Sequence, residues 1–480
     1  MSSKNFYITT TLPYVNSDPH VGFAMEIIRA DAIARFKKGQ GCEVFFNTGT
    51  DEHGAKIHER ALEAGKDTQS YVDEYAEKFK GLKEVLGLSS DLHFIRTTDS
   101  NHKKAAQEFW KQCKEKGFIY KKQYSIKYCV GCELEKTDSE LVDGKCPIHP
   151  NRDIELIDEE NYFFKFSEFQ KPLLDLYKKN PTLVIPDFRF NEIKAFVERG
   201  LEDFSISRLK TKMPWGVAVP DDSEHVMYVW FDALVNYIST LGWPENKEVF
   251  NSFWEEGETV QYAGKDNLRQ QSAMWQAMLL AVGIKPTDHI VIDGFVTGEG
   301  GIKMSKSLGN VINPYDIVKE YGTDALRYFV LRELNSFEDS PFTVELFKSA
   351  YNANLANGIG NLTSRIMKMA ETNLDKPPSI SPLDLPPDYI SSIDNFDLQR
   401  VAHITWHYIS ELDRKIQETQ PFKMVKTNPE EAKRIINDLV VGLYLIANML
   451  VPLLPQTSEK IKEAIKANKM PETPLFLRKD

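Results

Sequence analysis

The stretch LPYVNSDPHVGF, residues 12–23, decides the fold. Ahead of it, Phe6 to Leu12 is an apolar, β-branched run with the character of a strand. Beyond it, Phe23 to Lys38 places Ile27, Ala30 and Ala34 at helical spacing. A strand that passes through a tight loop directly into a helix is the first half of an α/β unit. The loop, Pro19-His20-Val21-Gly22, opens a helix whose first amides and dipole favour an anion, and Gly22 lets a ligand approach the backbone. A histidine at that point can donate to a phosphate oxygen.

The pattern recurs downstream. Glu43-Val-Phe-Phe reads as a strand, Thr48 to Asp51 as a turn, and His53 to Ala64 as a helix that ends at Gly65. Two such units predict a parallel α/β sheet. Residues 118–165 change to short strands and turns around cysteines, which predicts an insertion continuing to about residue 225. The α/β pattern then resumes with HVMYVWF, VQYAG and HIVIDGF as strand-like runs and Leu268 to Val282 as a helix. From about Pro341 the chain reads as helical, with Val401, Ile404, Tyr408 and Leu412 on one face of a bundle helix. The proline-rich DKPPSISPLDLPP at 375–387 reads as a connection between helices.

With 480 residues, 42% of them hydrophobic and 27% charged, the chain has the composition of a folded protein of several domains. The start MSSKNFYITTT carries neither a secretory nor a transit pattern, so a cytoplasmic location is expected. The most apolar run, LVVGLYLIANMLVPLLP from Leu439, is broken by Asn448 and Pro452 and falls short of the roughly 20 clean residues of a spanning helix. It predicts a buried helix and no membrane association. A net charge of −11 argues against broad, non-specific nucleic-acid binding while leaving room for a local basic surface. Five cysteines do not make a disulfide scaffold in so long a chain, and Cys42 and Cys113 read as small buried apolar residues.

The other three cysteines are grouped. CVGC at 129–132, thirteen further residues, and CPIH at 146–149 supply Cys129, Cys132, Cys146 and His149 in two close pairs, with Asp143-Gly144 as a hairpin turn before the second. Zinc takes four such ligands tetrahedrally, and a full protein shell leaves no open position, so the expected role is structural.

A second glycine-rich loop, GEGGIKMSKSLGN from Gly298, carries Lys303 and Lys306. Paired ammonium groups on a mobile segment suit charge that develops on a polyphosphate in a transition state. PHVG and KMSKS each fall where the α/β pattern places a loop beyond a strand.

Together these residues resemble a class I aminoacyl-tRNA synthetase, with PHVG in the place of the HIGH signature and an unaltered KMSKS at 303–307. The finer resemblance is to the methionyl-tRNA synthetase family. It rests on TLPYVN at 11–16, TGTDEHG at 48–54, the cysteine knuckle, SISR at 205–208, PWGVAVP at 214–220, YVWFDALVNY at 228–237, GKD at 264–266 and NANLANGIGNLTSR at 352–365. It extends from about residue 5 to 470, and no long editing insertion fits within that length.

The resemblance implies a Rossmann-like parallel-sheet catalytic domain interrupted by a zinc-binding insertion and followed by an α-helical bundle. The expected boundaries are 1–115 and 226–325 for the two catalytic halves, 116–225 for the insertion, 326–350 for a linking stem and 351–480 for an anticodon-binding domain. It implies ATP, L-methionine and methionine tRNA as substrates, with Mg2+ accompanying ATP and one structural Zn2+ per chain. By analogy His20, Gly22, Lys303 and Lys306 hold the phosphates, and Asp266 binds the ribose. Asp51 receives the substrate ammonium group, while Leu12, Tyr14, Trp230, Ala233 and Tyr237 form a sleeve around the thioether, with Gln271 also lining the pocket. Asn354, Arg365 and Phe422 are the expected anticodon contacts. Asn354 and Arg365 stand eleven apart, close to three helical turns.

Three positions depart from the family pattern. Phe23 replaces the last histidine of the signature, Gln271 stands where the familiar bacterial form has a histidine, and Phe422 stands where a tryptophan is common. Phe23 and Gln271 motivate the alternative, a synthetase-like tRNA-binding protein without catalytic activity. A monomer is expected, because the sequence stops at Asp480 without the dimerising module that some relatives append.

Overall fold

The structure, a computed structural model, describes residues 5–132, 134–136, 140–302, 304 and 311–479. Its central sheet has six strands in the order His93–Arg96, Glu43–Thr50, Asn5–Thr10, Glu258–Gly264, His289–Asp293 and Val184–Ile185. Phe6 pairs with Glu258 through to Thr10 with Tyr262, Asn47 pairs with His93 through to Thr50 with Arg96, and Ile290 pairs with Val184, all in parallel. Phe6 through Thr10 are all buried, as a strand covered on both faces requires. Phe109 and Trp110 from the helix Ser100–Glu115, together with Trp254, Trp275 and Met278, belong to the core against this sheet. The α/β, Rossmann-like expectation therefore holds.

Local differences from the sequence expectations have physical causes. Thr48 to Thr50 continue the strand instead of turning, because the Thr48 hydroxyl meets that of Thr10 at 2.7 Å and both are satisfied in the interior. HVMYVWF is a strand only over His225–Met227, and Val229–Leu234 is helical. A short, wholly apolar run looks the same to periodicity in either state. Leu268 to Val282 contains a π turn at Gln270–Met274 before the α-helix Trp275–Val282. Cys113 is buried as expected, whereas Cys42 is half-exposed.

The inserted segment forms an antiparallel sheet ordered Leu134–Glu135, Ile119–Cys129, Glu155–Phe164 and Phe204–Ser205. Asp143 and Gly144 both have positive φ, 51° and 74°, between the bridged residues Val142 and Lys145, so the Asp-Gly pair makes the predicted tight turn.

The chain divides into two compact units, each assembled from separated stretches. The first comprises Met1–Asp18, Phe45–Gly81 and Leu92–Ile292, and contains the sheet and the insertion. The second comprises Pro19–Val44, Leu82–Asp91 and Asp293–Asp480. In the second, the helix Val21–Gly39 is buried nearly all round and carries charges inward. Arg29 pairs with Asp293 at 3.0 Å and donates to the carbonyl of Asn335 at 2.7 Å, while Asp31 pairs with Arg327 at 2.8 Å. Charges can be buried this way only when paired and hydrogen-bonded.

The helices Asn361–Asn373, Leu398–Thr419, Pro429–Leu450 and Pro455–Ala467 form the bundle, with Leu439, Leu443, Ile446 and Leu450 inside. Residues 375–386 connect two of the helices, as expected. Among the described residues, no helix is long and apolar enough to cross a membrane.

Candidate functional site

Asp51 follows the end of the strand Glu43–Thr50 and is 7% exposed. Its N–H donates to the Pro13 carbonyl at 3.0 Å, and its own carbonyl accepts from Val15 N–H at 3.2 Å. Tyr14 and Asp51 are thereby held as partners in a parallel bridge. The flanking residues fix the backbone at Asp51 further. Glu52 accepts from Arg96 Nε and Nη2 at 2.7 and 2.9 Å, and its carbonyl accepts from Trp215 Nε1 at 2.6 Å. A Cβ on Gly49 would lie 1.8 Å from the Ile95 carbonyl oxygen, so only glycine permits this strand pairing. A buried carboxylate on so constrained a backbone suits a cationic group.

Trp230 and Ala233, both half-buried, stand on the helix Val229–Leu234, and Tyr237 lies just beyond it, 2% exposed. The Tyr237 hydroxyl accepts from Gln271 Nε2 at 2.6 Å, and the Tyr237 carbonyl accepts from the Tyr7 hydroxyl at 2.8 Å. The π turn carries Gln271, and Gln276 Nε2 holds the Gln271 carbonyl at 2.9 Å. Leu12 and Tyr14 are half-buried just past the strand Asn5–Thr10. Asp266 is exposed in the turn Lys265–Asn267, directly after the strand Glu258–Gly264. Leu12, Tyr14, Asp51 and Asp266 follow the carboxyl ends of parallel strands, where open α/β sheets bind ligands.

His20 and Gly22 belong to the second unit. His20 is the N-cap of the helix Val21–Gly39, and its Nδ1 accepts from Gly22 N–H at 3.1 Å. That bond assigns the proton of the neutral ring to Nε2. A Cβ at residue 22 would sit 3.0 Å from the His20 ring, a crowding of the cap that glycine avoids. Phe23 is buried, 8% exposed. Lys303 and Lys306 lie outside the described residues.

Cys129 Sγ, Cys132 Sγ, Cys146 Sγ and His149 Nδ1 all lie within 4.8 Å of one another. Cys132 Sγ is 3.3 Å from Cys146 Sγ and 3.2 Å from His149 Nδ1, and Cys129 Sγ is 3.9 Å from the same nitrogen. Tetrahedral ligands at zinc distances stand about 3.5–3.8 Å apart. The four donors thus form a metal site consistent with zinc. Gly131 makes the closure possible, since a Cβ there would lie 2.5 Å from His149 Cγ.

In the bundle, Phe422 is 47% exposed on the short helix Pro421–Met424. Arg365 is half-buried and paired with Asp413. Asn354 sits in a π-helical stretch, Tyr351–Gly360, in which Gly358 departs from helical geometry, so its spacing from Arg365 is not three α-helical turns. The exposed amide one turn from Arg365 on the helix Asn361–Asn373 is Asn361, which the sequence reading did not single out. It also passed over Glu52 and His53, although both stand in TGTDEHG. Their partners, Arg96 and Asp232, are too distant in sequence to be read from that segment.

The family model described as tRNA synthetases class I (M) matches residues 6–154 and 148–367. A methionine–tRNA ligase of Fusobacterium nucleatum is 38% identical over 97% of this chain and 75% of its own length. One from Thermotoga maritima is 39% identical over 97% of this chain and 76% of its own. A Mycobacterium tuberculosis methionyl-tRNA synthetase solved with methionyl-adenylate superposes with a TM-score of 0.89 at 33% identity, over 99% of this chain and all of that one. The parallel sheet, the cysteine knuckle and the helical bundle, matched over nearly the whole length, place this chain in the class I methionyl-tRNA synthetase family.

Proposed function

We infer that the chain joins methionine to its tRNA in two steps. A methionine carboxylate oxygen attacks the α-phosphorus of ATP, forming methionyl-adenylate and expelling pyrophosphate. A hydroxyl of the tRNA's terminal adenosine then attacks the activated carbonyl and expels AMP. The observation that carries this function is the buried Asp51, its backbone bridged to Tyr14, in the same unit as the Tyr237–Gln271 pair.

Asp51 receives the ammonium group, and Leu12, Tyr14, Trp230, Ala233, Tyr237 and Gln271 surround the side chain. Orienting the reactants and stabilising the departing pyrophosphate supply most of the rate, with little covalent chemistry from the protein. His20, through Nε2–H, and the amide end of its helix bind phosphate, Gly22 allows the approach, and Lys303 and Lys306 act on the leaving pyrophosphate. Asp266 holds the ribose. Magnesium bound with ATP would offset phosphate charge. Cys129, Cys132, Cys146 and His149 would hold a zinc ion that stabilises the insertion without a catalytic part.

Residues 1–115 and 226–325 are the catalytic halves, 116–225 the insertion, 326–350 the stem and 351–480 the anticodon domain. There Arg365, Phe422 and Asn354, with Asn361, meet the RNA, and Phe422 stacks on a base. The protein works as a cytoplasmic monomer, and a sedimentation mass of two chains would contradict that.

Amino-acid-dependent ATP–pyrophosphate exchange, run with each of the twenty amino acids and magnesium, tests the activity. Exchange with methionine alone is expected. No exchange with any amino acid would leave an RNA-binding protein without activation.

A further inference from the structure

His53 has no part in the mechanism above, yet it is buried, 1% exposed, two residues beyond Asp51. Its Nδ1 lies 3.0 Å from Asp232 Oδ2, and Asp232 is completely buried. Asp232 stands on the helix Val229–Leu234, between Trp230 and Ala233 in sequence. A single contact therefore joins the segment assigned to the substrate's ammonium end to the segment assigned to its side chain.

The contact belongs to a polar seam. Asn236 and Ser239 follow Asp232 at intervals of four and three, both buried, and Ser239 Oγ is 2.9 Å from His102 Nδ1. Trp230, Ala233 and Tyr237 occupy a different face of the same helical stretch. Apolar residues would fill the seam without the desolvation cost of a histidine and a carboxylic acid. A hydrogen bond instead fixes one separation and one orientation. Burial pushes His53 down to about 3, with Lys103 and Glu52 as its charged neighbours. Burial likewise holds the Asp232 carboxyl well above the usual carboxylate range, against the opposing effect of Lys103.

We propose that His53 and Asp232 are a positioning pair that sets the separation between Asp51 and the Trp230–Ala233 segment, and with it selectivity for an amino acid of methionine's length. The pair acts only if Asp51 and Trp230 contact methionine as assigned above. A bound amino acid is gripped at both ends, and a change in the spacing of the grips weakens the correct length and admits others.

The test uses the full chain with His53→Gln, Asp232→Asn, the double variant and Asp51→Asn, each measured for ATP–pyrophosphate exchange with methionine, norleucine and ethionine. In each single variant of the pair, methionine KM is expected to rise about tenfold while ATP KM stays within about twofold, with discrimination against ethionine reduced. The double variant is expected to be no worse than the weaker single, because both remove one contact. Unchanged methionine KM and discrimination in His53→Gln would overturn the proposal, as would equal rises in methionine and ATP KM. If Asp232→Asn fails to fold, His53→Gln decides alone. Asp51→Asn separates the two levels. If it leaves methionine KM unchanged, the pocket assignment fails; if it raises KM while His53→Gln does not, only the positioning pair fails.

Discussion

Gln271 shows how much one side chain settles. Its Nε2 donates to the Tyr237 hydroxyl at 2.6 Å inside the core, and an amide, unlike an imidazole, cannot gain a charge there. Gln271→Ala removes that bond at a cost of about 1–2 kcal/mol, so methionine KM should rise roughly 5- to 30-fold in steady-state exchange. His102 sets a pH dependence of stability. Burial, with His53 and Lys103 nearby, holds it down to about 3 against an ordinary 6.5. The unfolded chain therefore binds a proton between those values that the folded chain refuses. This stabilisation is fully present above pH 6.5 and is lost as pH falls toward 3, at up to about 1.4 kcal/mol per pH unit. Denaturation midpoints at pH 7.5 and 5.5 should converge in His102→Gln relative to the parent. Asp51 could be put forward from TGTDEHG because the motif surrounds it. The buried roles of His53 and His102 could not, because their partners, Asp232 and Ser239, lie 179 and 137 residues away.

At the scale of elements, the cysteine knuckle was the most legible. Ligand types, spacing and the Asp-Gly turn are all local, and the structure gathers the four donors as that spacing implied. Gly131 adds a steric condition that spacing alone does not state. Gly131→Ala should force His149 out of line, and metal content per chain, measured by atomic emission after dialysis, should fall well below one. The runs around Val229 and Thr48 were misread because propensity decides little where burial is complete. The π turns at Gln270–Met274 and Tyr351–Gly360 leave no mark in a hydrophobic pattern whose period differs so little from that of an α-helix. Such turns are frequent at functional sites, and the first of them carries Gln271.

For the whole molecule, the fold class followed from alternating strands and helices, whereas the composition of each compact unit did not. No local pattern says that Asn5–Thr10 pairs with Glu258–Gly264, or that the helix after the first strand joins the C-terminal half. Arg327 records that second association. It pairs with Asp31 at 2.8 Å and donates to the carbonyls of Leu86, Pro452 and Leu453 at 3.3, 3.0 and 2.8 Å. A lysine cannot supply this fork of donors, so Arg327→Lys should cost about 3–5 kcal/mol, read as a lower urea midpoint for the second unit. Asp31, Leu86 and Leu453 come from the three separate stretches that make up that unit. One cation therefore has its full set of partners only when all three stretches have arrived, which makes the assembly of the unit cooperative: a partly gathered intermediate would hold an unpaired charge in its interior and be disfavoured for that reason alone.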